Sequence, residues 1–289
     1  MINNILVGIV TYNPEIERLS RNLRKLNKQE MNKIVIVDNG SSNIKEIEKI
    51  AKEQCCIKKN TINMGIAYAL NQIGQEAEKY KCQFFLTLDQ DSIVDNQFLK
   101  KTLEIINSTD LNSIGMICPY INRYNDFVCQ NRVEYVESAI TSGSLVLTKV
   151  WKEIGGFWNY LFIDEVDHEF CYRMKKYGYK ILKNYTCCIN HIIGEPDANM
   201  KVVLGHKFHP TNHSPFRRYY MTRNSILMLY LYPNEKDPFP HRIRMLIRIF
   251  ISISLCEKEK IKKYKAMYNG IKDAFIWIIG HKKKEIFIK

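Results

Sequence analysis

The sequence predicts an α/β fold with a Rossmann-like, mostly parallel β-sheet flanked by helices. Short apolar runs alternate with segments of helical periodicity through the first third of the chain, which is typical of successive βαβ units. The runs are apolar at consecutive positions, as expected of strands covered on both faces. Polar clusters follow three of these runs directly, so the strand ends are expected to share one ligand-binding crevice.

The elements of the first half follow in chain order from this alternation. Asn13-Pro14 ends the first apolar run, and the turn residues of 38–42 end the second. The predicted elements are strand Ile5–Val10, helix Ile16–Leu26, strand Lys33–Val37, helix Ile44–Lys52, strand Cys56–Lys58, helix Ile66–Tyr80 and strand Phe84–Leu88.

The second half is less regular, and its pattern becomes helical and basic from about Phe216. Glycines end two short helices of this half. The predicted elements are strand Gly115–Pro119, a loop or hairpin over Asn122–Tyr135, strand Ser144–Thr148, helix Val150–Phe157, helix Asp167–Tyr177 and the extended segments Tyr179–Leu182 and Cys187–His191.

Length and composition predict a soluble globular protein. The 289 residues, 46% hydrophobic and 25% charged, suit one large α/β domain or one domain with an appendage. The nine cysteines are odd in number and none has C-x-x-C spacing, which favours reduced thiols in the core. The start Met1–Asn4 lacks the basic region of a secretory signal. A cytoplasmic protein is therefore expected.

The net charge of +13 is concentrated at the end of the chain, where residues 241–289 hold thirteen Lys/Arg and four Asp/Glu. Such a surface can face nucleic acid, anionic lipid or phosphorylated substrates, but the acid-rich centre of the chain argues against nucleic acid. The apolar run Met245–Cys256 is shorter than the roughly 20 residues of a membrane-spanning helix. Interfacial helices on an anionic membrane surface, or a helical cap packed on the main domain, remain open.

Asp89-Gln90-Asp91 follows the fourth predicted strand directly. Two carboxylates one residue apart repel each other unless a cation or water lies between them. Their hard oxygen atoms suit Mg²⁺ or Mn²⁺. A solvated loop would look the same, so the position at a strand end is what favours a metal site.

The other two polar strand ends are Thr11-Tyr12-Asn13 and Asp38-Asn39-Gly40, and a further polar segment precedes a predicted helix. Asp38-Asn39-Gly40-Ser41 is a good turn whatever its function, and its carboxylate is also able to accept hydrogen bonds from a base or ribose. Asn63-Met64-Gly65 opens a predicted helix, whose free N–H groups favour an anionic or polar ligand. A plain helix cap followed by glycine explains this second segment equally well.

Four acids occur within six positions, from Asp164 to Glu169, beside large apolar residues. One of them is a candidate general base, although an acid-rich helix start that suits the helix dipole is the simpler interpretation. His191 ends an extended apolar segment. It is either a structural histidine or the distant ligand that completes a metal site.

The ordered set of motifs resembles family 2 inverting glycosyltransferases of the GT-A fold, and most closely their bacterial rhamnosyltransferase branch. The resemblance covers roughly residues 4 to 230, and the order of the motifs makes it specific. The motifs are Val7–Asn13, Val37–Ser41, Asn63–Gly65, Leu88–Asp91, Thr141–Ser144, Gly155–Phe157 and Phe162–Arg173.

The resemblance implies a nucleotide-sugar site in the first half of the chain. The implied contacts to the nucleotide-sugar are Thr11, Tyr12, Asn13, Asp38, Asn39, Asn63, Gly65, Asp89 and Gln90. It further implies that Asp91 and His191 bind the metal, with Asp89 as a less certain ligand.

The family's catalytic base precedes an acid-x-x-x-Arg stretch, which is matched here by Glu169 and Arg173. The resemblance therefore places the base at Asp167, with Asp164 and Glu165 as rivals because the commoner Glu-Asp pair is missing there. Contacts to the diphosphate or acceptor are implied for Trp158, Arg223 and Asn224.

The implied activity is metal-dependent, inverting transfer of a sugar to a hydroxyl of a growing, lipid-linked cell-surface polysaccharide such as a capsule or O-antigen. The implied donor is dTDP-β-L-rhamnose. The alternatives are a UDP-sugar donor carrying galactose, glucose or an N-acetylhexosamine, or nucleotidyl transfer, although the basic glycine-rich loop of nucleotidyltransferases is missing after the first strand.

The implied organisation is a GT-A domain over residues 1–215 and a helical basic extension over 216–289. The first domain divides at about residue 92 into a nucleotide-sugar half and an acceptor half. The expected location is the inner face of the bacterial plasma membrane, with peripheral attachment. The sequence predicts no oligomeric state.

Overall fold

A computed structural model describes residues 5–51, 54–122, 127–191, 201–203, 206–208, 210–233 and 239–281, with the backbone alone at 191, 201, 203, 206–208 and 239–241. The chain forms two compact units. The first comprises Met1–Phe162 and Val166–Ile192, and the second comprises Ile163–Glu165 and Ile193–Lys289. The predicted boundary at residue 215 marks the end of the GT-A domain. The division into compact units does not test this boundary, which stays a prediction.

The first unit contains a large mixed β-sheet and the helices that flank it. The strands are β1 Ile5–Thr11, β2 Ile34–Asp38, β3 Cys55–Lys59, β4 Phe84–Asp89, β5 Ser92–Val94, β6 Ile114–Asn122, β7 Val133–Val136, β8 Leu145–Leu147 and β9 Lys180–His191. The helices are α1 Ile16–Lys28, α2 Ile44–Ala51, α3 Ile66–Lys79, α4 Phe98–Ser108, α5 Thr148–Glu153 and α6 Val166–Lys176. The predicted α/β fold class is confirmed.

The strand order in the sheet is β3-β2-β1-β4-β8-β6-β9-β5, with β7 paired to β9. The first four strands are parallel, whereas β8 joins β4 and β6 in antiparallel fashion. Every residue of β1 and β2 is buried, as predicted for strands covered on both faces. Thr11 pairs with Asp38 and Val10 pairs with Asp89, so these carboxyl ends lie side by side.

Helix α3 shows how periodicity produces the layers. Its apolar residues recur three or four positions apart, and Ala67, Leu70, Ile73 and Ala77 are buried. This face packs against β1, β2 and β4, and the Cβ-free backbone of Gly8 allows close contact with Ile73. The helix therefore holds its first residue, Ile66, beside the strand ends.

The structure differs from the prediction in the less regular half. Strand β5 and helix α4 were not predicted; β5 is too short to show a periodic pattern. The two predicted extended segments form one strand, β9, whose pairing with β6 shifts register after Asn184. Of the two alternatives for Asn122–Tyr135, the loop fits residues 127–132, whereas no hairpin with β6 forms because β7 pairs with β9; residues 123–126 lie outside the described residues.

The second unit is mainly helical, as predicted for the basic extension. Its elements are β10 Lys201–Val203, β11 His206–Phe208, α7 Pro215–Leu231, α8 Phe239–Cys256 and α9 Lys260–Gly280. The Ser214 hydroxyl caps α7 by accepting from the Arg217 N–H, and Pro215 occupies the first turn. Gly270 lets α9 approach α7, since a Cβ there would lie 2.6 Å from the Tyr219 carbonyl oxygen. None of the described helices is both long and apolar enough to cross a membrane.

Candidate active site

The carboxylate of Asp38 organises the end of β2. It accepts hydrogen bonds from the Thr11 hydroxyl at 3.0 Å, from the Ser41 N–H at 2.9 Å, from the Gly40 N–H at 3.2 Å and from the Ser41 hydroxyl. An ionised carboxylate has about four acceptor positions, and these four donors fill them. Asp38 therefore fixes the loop, and its predicted contact with a pyrimidine base stays a prediction.

Asn39 connects the end of β2 to the start of α3. Its buried amide donates to the Asn63 side chain at 3.0 Å and to the Gly65 carbonyl at 3.2 Å, and it accepts from the Met64 N–H at 3.0 Å. Gly65 has φ +88°, and a Cβ there would lie 2.7 Å from the ring of Phe162. Only glycine fits both this positive φ and this close approach to Phe162, so the loop requires glycine at position 65.

Two further contacts draw β1 toward its neighbours. The Tyr12 N–H donates to Oε1 of Gln90 at 2.8 Å, which links the ends of β1 and β4. Oδ1 of Asn13 accepts from the Ser42 N–H at 2.8 Å, which links β1 to β2. The Tyr12 side chain is 48% exposed, so its ring is accessible from solvent at these strand ends.

Three carboxylates come close to one another beyond β4. Burial, together with the charges of Asp91 and Asp167, raises the pKa of Asp89 to about 7, against the lowering effect of a hydrogen bond with Ser142. Repulsion of this kind shows that Asp167, at the start of α6, lies near the Asp-Gln-Asp motif. The structure thus brings together residues that are 76 positions apart in the chain.

The chemistry of this cluster fits a hard divalent cation, since carboxylate oxygens are its preferred ligands and a cation relieves the repulsion that raises the pKa of Asp89. No three His, Cys, Asp or Glu side chains of the described residues are arranged as a metal site. The backbone of His191 pairs with Ser92 between β9 and β5, but its side chain lies outside the described part. Its predicted role as a metal ligand stays a prediction.

The two rivals of Asp167 are held by arginines within the second unit. Arg217 donates to both oxygens of Asp164, at 3.2 and 3.0 Å. Glu165 forms an ion pair with Arg242, and both side chains are buried. These guanidinium groups occupy the carboxylate oxygens, so both rivals are poorly placed to contact an acceptor hydroxyl. Asp167 accepts from the His168 N–H at 2.9 Å.

The segment before α6 has an unusual backbone. Phe162, Asp164 and Glu165 have φ of +64°, +61° and +65°, and each such residue costs on the order of 1–3 kcal/mol. Within the second unit, the buried amide of Asn224 donates to the carbonyls of Ile163 at 2.7 Å and Asp164 at 3.0 Å. These bonds stabilise the strained backbone.

The residues predicted to contact the diphosphate or acceptor have structural contacts of their own. Arg223 Nε donates to Oδ1 of Asn224 at 2.9 Å and therefore orients the amide that holds residues 163–164. The ring of Trp158 is half-buried and lies 5.6 Å from that of Tyr160. The predicted contacts of Trp158, Arg223 and Asn224 with substrate stay predictions.

Glu169 and Arg173 form a buried structural pair within α6. Arg173 donates to both oxygens of Glu169, at 2.8 and 2.7 Å. Its remaining donors reach the carbonyls of Ile154 and Gly156. The acid-x-x-x-Arg stretch thereby ties α6 to the loop after α5 and fixes the helix that presents Asp167.

We expect Glu169→Ala to lower the free energy of unfolding by about 3–5 kcal/mol, because the mutation leaves a buried guanidinium unpaired. Urea denaturation followed by far-UV circular dichroism measures this change. Glu78→Ala is the matched control, since the Glu78–Lys152 pair is exposed and should contribute under about 1 kcal/mol. Equal losses in the two variants would contradict the structural role of Glu169.

Sequence reasoning gave no role to Ser142, which supports the carboxylate cluster. Its hydroxyl accepts from the Asp89 N–H at 3.0 Å and lies 2.7 Å from the hydroxyl of Ser92. The segment Thr141–Ser144 is one of the motifs that carry the family resemblance, and this was the only feature of the sequence that pointed to Ser142. The serine positions the backbone of Asp89 across the gap between β4 and β8.

A mixed sheet whose strand β4 ends in an Asp-x-Asp motif, with a further carboxylate nearby on a later helix, is typical of glycosyltransferases. The chain belongs to this class: residues 6–176 match the model of glycosyl transferase family 2. It is 31% identical to the dTDP-rhamnosyl transferase RfbF of Shigella flexneri, over 79% of this chain and 81% of that protein.

Solved glycosyltransferases share the fold at low sequence identity. GalNAc-T7, solved with UDP, GalNAc and Mn²⁺, matches 96% of the chain with a TM-score of 0.59 and 14% identity, and the chain spans 57% of that structure. Staphylococcus aureus TarS 1-349 with UDP-GlcNAc matches 94% of the chain and 80% of its own, with a TM-score of 0.54 and 19% identity. These likenesses show the GT-A fold alone.

Proposed function

We propose that this glycosyltransferase transfers L-rhamnose from dTDP-β-L-rhamnose to a saccharide hydroxyl with inversion at the anomeric carbon. The observation that supports the proposal is the charge of Asp167 acting on Asp89, since a carboxylate near the Asp-Gln-Asp motif is suited to act as the base. The choice of donor is supported by the 31% identity to a dTDP-rhamnosyl transferase.

In the proposed reaction, the acceptor hydroxyl attacks the anomeric carbon in line with the bond to the diphosphate. The new bond joins the acceptor oxygen to this carbon, the bond to the diphosphate oxygen breaks, and dTDP leaves with the bonding electrons. Asp167 takes the proton of the hydroxyl, which is otherwise a poor nucleophile. A single displacement of this kind inverts the anomeric centre and produces an α-L-rhamnoside.

Asp91 and Asp89, with His191 as the proposed distant ligand, would hold Mg²⁺ or Mn²⁺. The metal would neutralise the charge that develops on the diphosphate. Tyr12 and Asn13 would line the nucleotide pocket, and the loop that contains Asp38 and Asn39 would form its base. Gln90 contributes by holding the backbone of Tyr12.

The proposed acceptor is a lipid-linked, growing cell-surface polysaccharide, reached at the cytoplasmic face of the membrane by a peripheral enzyme. The support lies in α8 and α9, where large apolar side chains are exposed beside basic ones. The exposed apolar residues are Ile247, Phe250, Ile251, Leu255, Ile261, Tyr268, Ile271, Phe275, Ile276 and Ile279. Such helices bind the interface of an anionic bilayer.

A thermal-shift screen tests the proposed donor. We expect dTDP-β-L-rhamnose with Mn²⁺ or Mg²⁺ to raise the melting temperature more than UDP-glucose, UDP-galactose or UDP-N-acetylglucosamine, because a ligand that binds only the folded state stabilises it by mass action. dTDP and UDP alone serve as controls for the contribution of the base. A larger shift with any UDP-sugar would replace the rhamnosyl donor by that sugar nucleotide.

A further inference from the structure

The second unit contains a cavity of about 390 Å³. Basic, polar and apolar side chains of α7, α8 and the adjoining segments surround it. The lining residues used below are Thr211, His213, Arg218, Met221, Arg244, Met245, Arg248, Ile249, Ser252 and Glu257. Nothing in the proposed transfer reaction uses this cavity.

Arg218 is a buried cation with an unsatisfied donor. It is only 2% exposed, and it donates to the Thr211 hydroxyl at 3.0 Å and to Glu257. Its Nε is buried and has no hydrogen-bond partner among the described residues. Because a buried cation with an unmade hydrogen bond is costly, the Arg218 guanidinium in the cavity lining favours a negative charge nearby.

Glu257 does not neutralise the whole cavity. Its side chain is fully buried, and it pairs with Lys263 at 2.8 Å as well as with Arg218. Two buried cations therefore share one carboxylate. The hydroxyl of Ser252 also donates to Glu257, at 3.3 Å, so the oxygens of this carboxylate are already engaged.

Arg244 and Arg248 add positive charge from α8. They stand one turn apart, both are exposed, and neither forms an ion pair with a side chain in the described ranges. Like charges four residues apart in a helix destabilise each other, and an anion between them removes that repulsion. Planar guanidinium groups are well suited to bind phosphoryl oxygens in this way.

His213 reports the electrostatic field in the cavity. Burial, together with the charges of Arg217 and Arg218, lowers its pKa to about 4, while the charges of Asp164 and Glu257 oppose the shift. The imidazole is thus neutral near pH 7 and adds no positive charge of its own to the cavity.

The apolar side chains that line the cavity favour a ligand that also has an apolar part. Met221, Met245 and Ile249 line the same cavity as the arginines, and Ile247 and Phe250 are more than half exposed on the same helix. An inorganic anion would leave these apolar surfaces uncovered, whereas a ligand with a phosphoryl head and an apolar chain covers them. Flexible methionines are typical of sites that accept chains of varied shape.

We propose that this cavity binds the phosphoryl headgroup of an amphiphile, with the apolar chain lying against the methionines and the exposed face of α8. The proposal rests on the cavity itself and not on the proposed transfer reaction. Its test therefore measures binding and needs neither donor nor acceptor.

Titration calorimetry of the full chain with dihexanoyl phosphatidic acid, a soluble phosphomonoester amphiphile, tests the proposal. We expect saturable binding, and weaker binding of inorganic phosphate and diphosphate, which lack the chain. Arg244→Gln and Arg248→Gln should each raise Kd roughly tenfold or more, as expected for loss of a charge-assisted hydrogen bond. Both side chains are exposed, so circular dichroism should show an unchanged fold.

A double variant, Lys265→Gln with Lys272→Gln, is the matched control, since it removes two exposed charges of α9 that lie outside the cavity. We expect it to keep the wild-type Kd. Equal weakening by the control and the arginine variants would show diffuse charge attraction and overturn the proposal. It would equally be overturned by a lack of saturable binding, or by inorganic phosphate or diphosphate that binds as tightly as the amphiphile.

Discussion

Asp167→Asn is expected to lower kcat by roughly 100- to 10,000-fold, the usual contribution of a positioned general base, while donor affinity stays at the wild-type value. Asparagine has nearly the same shape as aspartate but cannot accept the proton of the acceptor hydroxyl. Turnover of the donor in the presence of a saccharide acceptor, together with calorimetry of donor binding, separates these two effects. The prediction is wrong if the purified variant turns over normally.

The rivals Asp164 and Glu165 provide the matched comparison. Asp164→Asn and Glu165→Gln weaken contacts with Arg217 and Arg242, so we expect them to destabilise the second unit and to retain measurable turnover. Reading kcat beside the melting temperature distinguishes lost chemistry from lost structure. A stable Asp164 or Glu165 variant without turnover, beside an active Asp167→Asn enzyme, would move the base to that rival.

Asp91→Ala is expected to abolish the metal-dependent part of donor binding. Loss of a supporting residue alone costs a metal site roughly 10- to 100-fold in affinity, and loss of a direct ligand should cost more. Donor titrations with Mn²⁺, with Mg²⁺ and with a chelator measure this effect. Asp110→Ala is a suitable control, because that carboxylate only caps a short 3₁₀ turn through the Asn112 N–H.

If Asp91 binds a metal, donor binding by the wild-type enzyme should also depend on that metal. Donor affinity must fall when the chelator is present, and Asp91→Ala must not respond to Mn²⁺. If the wild type binds the nucleotide-sugar equally well with and without metal, Asp91 is not a metal ligand. The Asp-Gln-Asp motif would then act on the donor through hydrogen bonds and charge alone.

The parallel half of the sheet was predictable because its signals are local. Apolar runs, helical spacing and turn residues such as Asn13-Pro14 all fall within a few positions of the elements that they delimit. Strand β5 was missed because three residues cannot show a period. The two halves of β9 looked separate because the Asn184 side chain holds a bulge between them, accepting from the Thr186 N–H at 2.9 Å.

The candidate site was predictable as a set of residues but not as a set of contacts. Sequence order alone located Asp38, Asn39 and the Asp-Gln-Asp motif at strand ends. It gave no indication that hydrogen bonds from Thr11, Gly40 and Ser41 would occupy the acceptor positions of the Asp38 carboxylate. The arginines that hold Asp164 and Glu165 lie 53 and 77 positions away, and no local pattern encodes such pairs.

The positive-φ residues Phe162, Asp164 and Glu165 also have a consequence for the order in which the chain completes its fold during synthesis. The ion-pair and amide partners of residues 163–165, Arg217, Asn224 and Arg242, emerge from the ribosome long after the sheet has been translated. Domains generally fold as they emerge, starting from the N-terminus, so the sheet can form on the nascent chain while residues 163–165 still lack the contacts that hold their backbone. A nascent chain arrested before α8 is translated should therefore have an ordered sheet and an unfinished segment before α6.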